Sequence, residues 1–403
     1  MKILVLNCGS SSIKYQLVDM ANNAQVMAKG LLERIGLEMG EFTHKYNGEK
    51  HYEQLPIPDH TAGIKIVLKA LTDPKMGVIK DLKEIGAVGN RVAHGGELFA
   101  GSCLVTDDVI EKIKSLTDLA PLHTPGNLAG IYAMREVLPD VPQTVVFDTA
   151  FHSTLPPKSY LYALPYEYYQ KYGVRRYGFH GTSHRFVAEK AAKMIGKDWT
   201  QLNIISCHLG SGASICAIKQ GKSFDTTMGM TPLEGLVMGS RPGDVDPGAI
   251  EFIIKKEILE NGKSWKDITT ILNKKSGLIG ISGDKQDMRD IRAGRDAGDE
   301  RCTYAFDMFA QRVKRYIGGY MAEMGGCDLL LFTGGIGENA WFMRHPILDG
   351  LECLGVKVDM DLNDKIMGED CIISTPDSKI ATVVVTTDEE FVIASDTYKL
   401  VTK

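Results

Sequence analysis

The sequence predicts an α/β protein of more than one domain, built on an internal duplication. Three observations carry this. Apolar strand-like runs alternate with amphipathic helical ones. A chain of 403 residues is long for a single core. And one unusual turn occurs twice. Ile3-Leu4-Val5-Leu6-Asn7-Cys8-Gly9-Ser10-Ser11-Ser12 leaves an apolar run for a small-residue loop, and Ile204-Ile205-Ser206-Cys207-His208-Leu209-Gly210-Ser211-Gly212-Ala213 does the same 201 residues later. Gly9-Ser10 matches Gly210-Ser211; with one residue inserted in the second copy, Ser12-Ile13 matches Ser214-Ile215. A strand ending in Gly and Ser lets backbone N–H groups approach an anion, because Gly has no Cβ in the way. Two such loops suggest duplicated domains gripping one polyphosphate. Two ordinary β-hairpins with polar turns are the plainer alternative.

The elements follow in order. Residues 2–7 read as a buried strand and 13–19 as its hairpin partner. Residues 62–72 and 107–119 read as helices, the second capped by Thr106 with Asp107 and Asp108 in its first turn. Ile85–Val92 is a strand running into Ala93-His94-Gly95-Gly96. A helix at 126–137 leads to a strand at 144–147, which delivers Asp148 at its carboxyl end. Residues 153–173, with three prolines and six tyrosines, read as a packed connection. A helix near 182–195 precedes the second turn, an irregular Gly/Pro/Met stretch fills 226–248, and helices follow at 247–260 and 299–323. A strand at 329–332 ends in Thr333-Gly334-Gly335-Ile336-Gly337-Glu338-Asn339. After a strand at 382–385, Asp388 caps a final helix whose Phe391, Ala394, Tyr398 and Val401 form one apolar face.

Composition narrows the function. An apolar content of 44% with 24% charged residues is that of an ordinary globular protein. A net charge of −5 gives no general reason to expect nucleic acid or an anionic membrane as partner. The opening apolar run is too short for a signal peptide, and no segment reaches the length of a membrane span. The eight cysteines are scattered without Cys-x-x-Cys spacing, so neither a zinc site nor a disulfide framework is indicated. A cytoplasmic enzyme is expected.

Several constellations could carry chemistry. Asp148 sits where α/β sheets bind ligands, at the carboxyl end of a strand. Arg91 and Arg241 lie in Gly-rich loops suited to forking onto carboxylate or phosphate. His123, His180, His184 and His208 fall at loop or strand ends, and His180 is the best placed to donate to a phosphoryl oxygen. No Gly-x4-Gly-Lys-Ser/Thr occurs, which leaves a Walker-type ATPase unsupported. Gly335-Ile336-Gly337-Glu338-Asn339-Ala340 does fit Gly-x-Gly-x-x-Ala after a strand, with Asp359 about twenty residues on. A dinucleotide fold would leave the duplicated loops unexplained.

At these residues the sequence resembles the acetokinase family, within the superfamily of acetate and sugar kinases, actin and heat-shock chaperones. The matching segments are 4–14, 91–96, 147–152, 178–184, 208–213, 239–243 and 334–339. The resemblance implies two actin-like (ribonuclease H-like) domains with an active-site cleft between them. Residues 1–150 with 386–403 would form the acyl-substrate domain, and 151–385 the nucleotide domain. It implies a homodimer and reversible transfer from ATP to acetate, giving ADP and acetyl phosphate, with Mg²⁺ or Mn²⁺. Carried over, Asn7 and Glu389 would help hold the metal, and Lys14 would contact the nucleotide. Asp148 would be the catalytic carboxylate, and Arg91 would bind the substrate carboxylate beside Ala93, Leu122, Phe179 and Pro232. His180 and Arg241 would stabilise the transition state, with His123 near the transferred phosphoryl. His208, Leu209, Gly210, Ser211 and Gly212 would line the nucleotide site. So would Asp287, Met288 and Arg289, with Gly334, Gly335, Ile336, Gly337, Glu338 and Asn339 nearest adenosine. Three positions depart from the family pattern: Asn90 for His, Ala93 for Val, and Ser211 for Asn. Ala93 opens the way to propionate, and Ser211 shortens a side chain beside the phosphates. A propionate or broader acyl kinase is the near alternative. A nicotinamide-dependent dehydrogenase and a chaperone- or actin-like ATPase module are the remote ones.

Overall fold

The computed structural model describes all 403 residues, which divide into two compact units: Met1–Ser153 with Asp388–Lys403, and Thr154–Thr387. Each is a mixed sheet with helices packed on it. No helix is long and apolar enough to cross a membrane.

The first unit holds β1 (Lys2–Cys8), β2 (Ser12–Asp19), β3 (Gln25–Glu33), β4 (Gly40–Tyr46), β5 (Glu49–Leu55), α1 (His60–Thr72), β6 (Ile85–Val92), β7 (Cys103–Leu104), α2 (Asp107–Ser115), α3 (Thr124–Val137) and β8 (Gln143–Phe147). The strand order is β5-β4-β3-β2-β1-β6-β8-β7. β1 is central and buried on both faces, which its unbroken apolar run requires. Leu4 and Leu6 pack with Ile64, Val67 and Leu71 of α1. Ile3 and Val5 pack with Ile393 and Ala394 of the C-terminal helix, Glu389–Val401. Asp388 caps that helix through Phe391 N at 2.8 Å.

The second unit continues with α4 (Pro157–Tyr160), α5 (Tyr166–Tyr172), α6 (Gly181–Met194), β9 (Asn203–Leu209), β10 (Ala213–Lys219), β11 (Lys222–Thr226), α7 (Pro247–Ile254), α8 (Trp265–Lys274), α9 (Gly277–Ser282), α10 (Met288–Asp296), α11 (Glu300–Met324), β12 (Leu329–Thr333), α12 (Gly334–Asn339), α13 (Trp341–Leu348), α14 (Met360–Asn363), β13 (Cys371–Ile372) and β14 (Ala381–Val384). Its order is β11-β10-β9-β12-β14-β13. Alternation along β9 sends Ile205 and Cys207 into the core shared with Phe306, Phe309 and Val313 of α11. Ser206 and His208 take the other face, where α6 meets them.

The duplication is real in three dimensions. β3-β2-β1-β6-β8 and β11-β10-β9-β12-β14 have the same order, and in both the second strand pairs antiparallel with the third, which pairs parallel with the fourth. Asn7 pairs with Lys14, and His208 with Ser214. The second turn is therefore one residue shorter than the first. The Ser12-Ile13 to Ser214-Ile215 match, which needed an insertion, is corrected: Ile13 answers to Ala213. Registers also equate Arg91 with Thr333 and, counting on past the paired residues, Asp148 with Thr387.

Four expectations change. Residues 25–55, left without elements, form three antiparallel strands. The stretch between the helices expected at 247–260 and 299–323 carries α8, α9 and α10. The buried face of the C-terminal helix is Val392, Ile393, Ala394 and Thr397, with Tyr398 38% exposed. Asp359 caps α14 through Leu362 N rather than reading a ribose.

Candidate active site

In the first unit, polar side chains gather where β1, β6 and β8 end. Arg91 forks onto Asp148: Nε donates to Oδ1 at 3.0 Å, and Nη2 donates to Oδ2. Its Nη1 donates to Asn7 Oδ1 at 3.3 Å. Asp148 is 3% exposed, and a buried carboxylate needs such a partner. Burial opposes the Arg91 cation, but the charges of Asp148 and Glu389 outweigh it and raise its pKa. Glu389 opens the C-terminal helix. Burial, then the charge of Asp148, push its carboxyl up to about 7 against the pull of Arg91. Lys14 reaches Glu390 as an ion pair. Asn7, Lys14, Arg91, Asp148 and Glu389 thus form one charge-dense cluster.

Helix α3 lies directly on the first turn. A Cβ on Gly126 would fall 2.4 Å from Gly9 O, and one on Gly130 2.4 Å from Cys8 Sγ. Between these glycines, Asn127 accepts from Ala93 N at 3.1 Å and donates to Cys8 O at 2.7 Å. Ala93 is buried in a bend just past β6. Strand alternation therefore does not set its direction. His123 occupies the N-cap position of α3, and Leu122 beside it is 68% exposed. Asn90 is buried and donates to Gln143 Oε1 and Thr144 O, a structural role.

In the second unit, two Gly-rich stretches lie side by side. Gly334 adopts φ +77°, and a Cβ there would sit 2.7 Å from Leu209 O at the end of β9. Gly335 N lies 3.8 Å from where a Cβ on Gly210 would be. Against the same turn stand a histidine and an arginine. A Cβ on Gly212 would be 2.7 Å from Arg241 Nη2 and 3.6 Å from His180 Nε2. The ring of His180 stacks on His208 with centroids 4.2 Å apart. His180 holds φ 55°, an uncommon left-handed conformation for a side-chain-bearing residue. Arg241 Nη1 donates to Pro232 O at 2.8 Å. Burial lowers the pKa of Arg241, and lowers that of His208 to about 4. A desolvated cation resting on a carbonyl is ready to take an anion.

The remaining site residues are scaffolding or rim. Ser211 O accepts from Gly239 N at 2.9 Å, which ties the turn to the Arg241 loop. The Ser211 hydroxyl faces Gly239 as well. Asp287 caps α10 through Arg289 N at 2.8 Å and receives the Arg289 fork; Met288 and Phe179, the residue before His180, are buried in the same core as Leu209. Glu338 turns inward: Oε1 accepts from Gly334 N at 2.9 Å, Thr333 Oγ1 at 3.1 Å and Thr387 N at 3.0 Å. Asn339 Nδ2 donates to Gly335 O at 3.0 Å, and Ile336 packs on the core. Sequence reasoning missed Asn127, Ser183, Thr387 and Arg344. The fully buried Arg344 donates to Gly337 O at 2.8 Å and Ile366 O at 2.8 Å, clamping α12 from behind.

Comparison with known proteins adds an independent finding. The model of the acetokinase family matches residues 2–395. An acetate kinase of Halothermothrix orenii is 54% identical over 100% of both chains. Among solved structures, Porphyromonas gingivalis acetate kinase superposes with a TM-score of 0.95 at 46% identity, covering 99% of each chain. A propionate kinase of Francisella tularensis superposes with a TM-score of 0.90 at 40% identity, again over 99% of each.

Proposed function

This chain belongs to the acetokinase family, and on that premise we propose that it is an acetate kinase, transferring the γ-phosphoryl of ATP reversibly to acetate. The observation that carries the reading is the full-length similarity to acetate kinases, 54% identical over 100% of both chains.

The residues have a consistent division of labour. Acetate, with a pKa near the roughly 4 of side-chain carboxyls, arrives ionised at neutral pH and needs no general base. Arg91 holds its carboxylate, and Asp148 fixes the arginine's plane through the fork. Arg241 and His180 donate to the transferring phosphoryl, where charge is spread over three oxygens. The backbone of Gly210–Gly212 cradles phosphate, and the Gly334–Asn339 stretch receives the nucleoside. His123 is the further side chain expected near the transferred phosphoryl. The reading implies a divalent cation, Mg²⁺ with Mn²⁺ as substitute. Asn7 Oδ1 and the Glu389 carboxylate are hard oxygen donors suited to it, and the crowding that raises Glu389 is what a cation relieves. When bound, it neutralises phosphate charge. Lys14, ion-paired to Glu390, is the lysine of this cluster and is expected to contact the nucleotide.

Mixing the protein with ATP, Mg²⁺ and acetate, and trapping the product with hydroxylamine, tests the proposal. Acyl hydroxamate is expected. ATP turnover without hydroxamate would point to a bare ATPase, and absence of both would overturn the reading. A second acceptor is favoured by Ala93, which leaves room where Val is usual: propionate is expected to react as well. We further infer a cytoplasmic homodimer, which sedimentation at low protein concentration would check.

A further inference from the structure

The second unit carries a chain of hydroxyls that the reaction as described does not use. Ser183, in the first turn of α6, is fully buried. Its Oγ lies 2.8 Å from His208 Nδ1 and 2.9 Å from Thr387 Oγ1. Thr387 is itself fixed, since its N–H donates to Glu338 Oε1, the same atom that accepts from Gly334 N at 2.9 Å. The line His208–Ser183–Thr387 thus joins the end of β9 to the end of the β14 segment. It also joins both to the first residue of α12. Register makes these ends the counterparts of Asn7 and Asp148.

A hydroxyl has one proton, and with that of Ser183 spent inside this line the order is one of two. Either His208 Nδ1–H donates to Ser183 and Ser183 donates to Thr387, or Thr387 donates to Ser183 and Ser183 to an unprotonated Nδ1. The proposed function selects between them. Phosphate oxygens accept only, so a histidine serving them must present a donor. With Nδ1 committed to Ser183, the donor is Nε2. We propose that Ser183 is a positioning residue, ordered by Thr387, that holds His208 as a neutral imidazole with its proton on Nε2, facing the nucleotide phosphates.

Burial supports the neutral ring, because desolvation disfavours imidazolium. The ring stacks on His180 with centroids 4.2 Å apart, a spacing at which two charged imidazoles would repel. The hydroxyl then does for His208 what carboxylates and carbonyls do for other functional histidines: it fixes tautomer and ring plane. Thr387 is also the last residue of its unit, two before Glu389. The residue that orders the relay therefore also anchors the strand leading to the candidate metal ligand.

This inference rests on the acetate kinase reading, and the test separates the two. Protein labelled with ¹⁵N-histidine is saturated with ADP at neutral pH, and the His208 ring nitrogens are read by NMR, assigned with His208→Gln. Neutral imidazole protonated at Nε2 is expected. A ring protonated at Nδ1, or at both nitrogens, overturns the relay, even if the same preparation makes acyl hydroxamate. Ser183→Ala is expected to lower kcat about 10–100-fold, the range for outer partners of functional histidines, with acetate KM unchanged. It should also give mixed tautomers at His208. Ser183→Thr, which keeps the hydroxyl, is expected to recover most of the loss. An Ala variant that folds and retains kcat, or loses it with the Nε2–H tautomer intact, contradicts the proposal.

Discussion

The two units are one scaffold dressed with opposite chemistry. At the first turn, Asn7, Arg91 and Asp148 form a charged knot, with Glu389 raised beside it. At the matching points of the second stand His208, Thr333 and Thr387, joined through neutral Ser183 and the single carboxylate of Glu338. The first copy can grip a carboxylate and a cation. On the proposed reading, the second presents the backbone N–H groups of its Gly-rich turns and the His208 ring to phosphate, its hydroxyls being spent on one another and on Glu338. Strand order supplies the location in both; side chains at equivalent register positions decide which charge is handled there.

The sharpest break of this comparison is at the two arginines. Arg241→Ala is expected to lower kcat by about 10³–10⁵, as removal of an arginine that neutralises a transferring phosphoryl does, with a smaller effect on acetate KM. Arg91→Ala should raise acetate KM as well as lower kcat. Steady-state kinetics on both variants checks this, and interchangeable effects would erase the distinction between the units.

Asp148→Asn tests the charged knot itself. Activity should fall, and added external bases should not restore it, because the acceptor arrives ionised. In the cation-free parent, burial and the charge of Asp148 push the Glu389 carboxyl up to about 7 from an ordinary 4.5. The folded protein then holds an extra proton between those values, so this group's contribution makes stability decline as pH rises through that window. Asp148→Asn removes the neighbouring negative charge, so Glu389 should titrate lower and the decline should flatten. Denaturant unfolding at pH 5 and pH 7.5 reads the difference; an unchanged slope would show that Asp148 is not the cause.

The glycines offer a matched pair of smaller effects. Gly126→Ala drives a methyl against Gly9 O, and Gly334→Ala drives one against Leu209 O at a positive φ. Each should cost about 1–3 kcal/mol of stability, the range for overpacking. Their ligand effects should divide: the first weakens acetate use, the second weakens ADP binding. The smallest effect is at Ala93→Val. It should reduce kcat/KM for propionate more than for acetate, within the roughly 10–200-fold that a methylene is worth in an apolar pocket.

What the sequence made legible is what is local. The turns were visible because an apolar run ending in Gly and Ser is readable in ten residues. Thr106 and Asp388 were visible as caps because capping acts over three residues. Strands β3–β5 were not, because they run out to a polar sheet edge: β5, Glu49–Leu55, is largely exposed and has no apolar alternation to detect. The offset between the turns was misread because identity favoured Ser214-Ile215, whereas pairing follows hydrogen bonds and equates Ser214 with Lys14. The site's supports lay furthest out of reach. Ser183 and Thr387 are 204 residues apart, and Asn127 is 119 from Cys8. No composition or spacing marks such partners; only the folded sheet brings them together.

Calorimetric titration of ADP, without added divalent cation, into Arg91→Ala tests the central claim most directly. If nucleotide recognition belongs to the donor bed of the second unit, ADP affinity stays at the parent's value while acyl hydroxamate formation collapses. Loss of ADP affinity alongside activity would contradict the division of labour between the two copies.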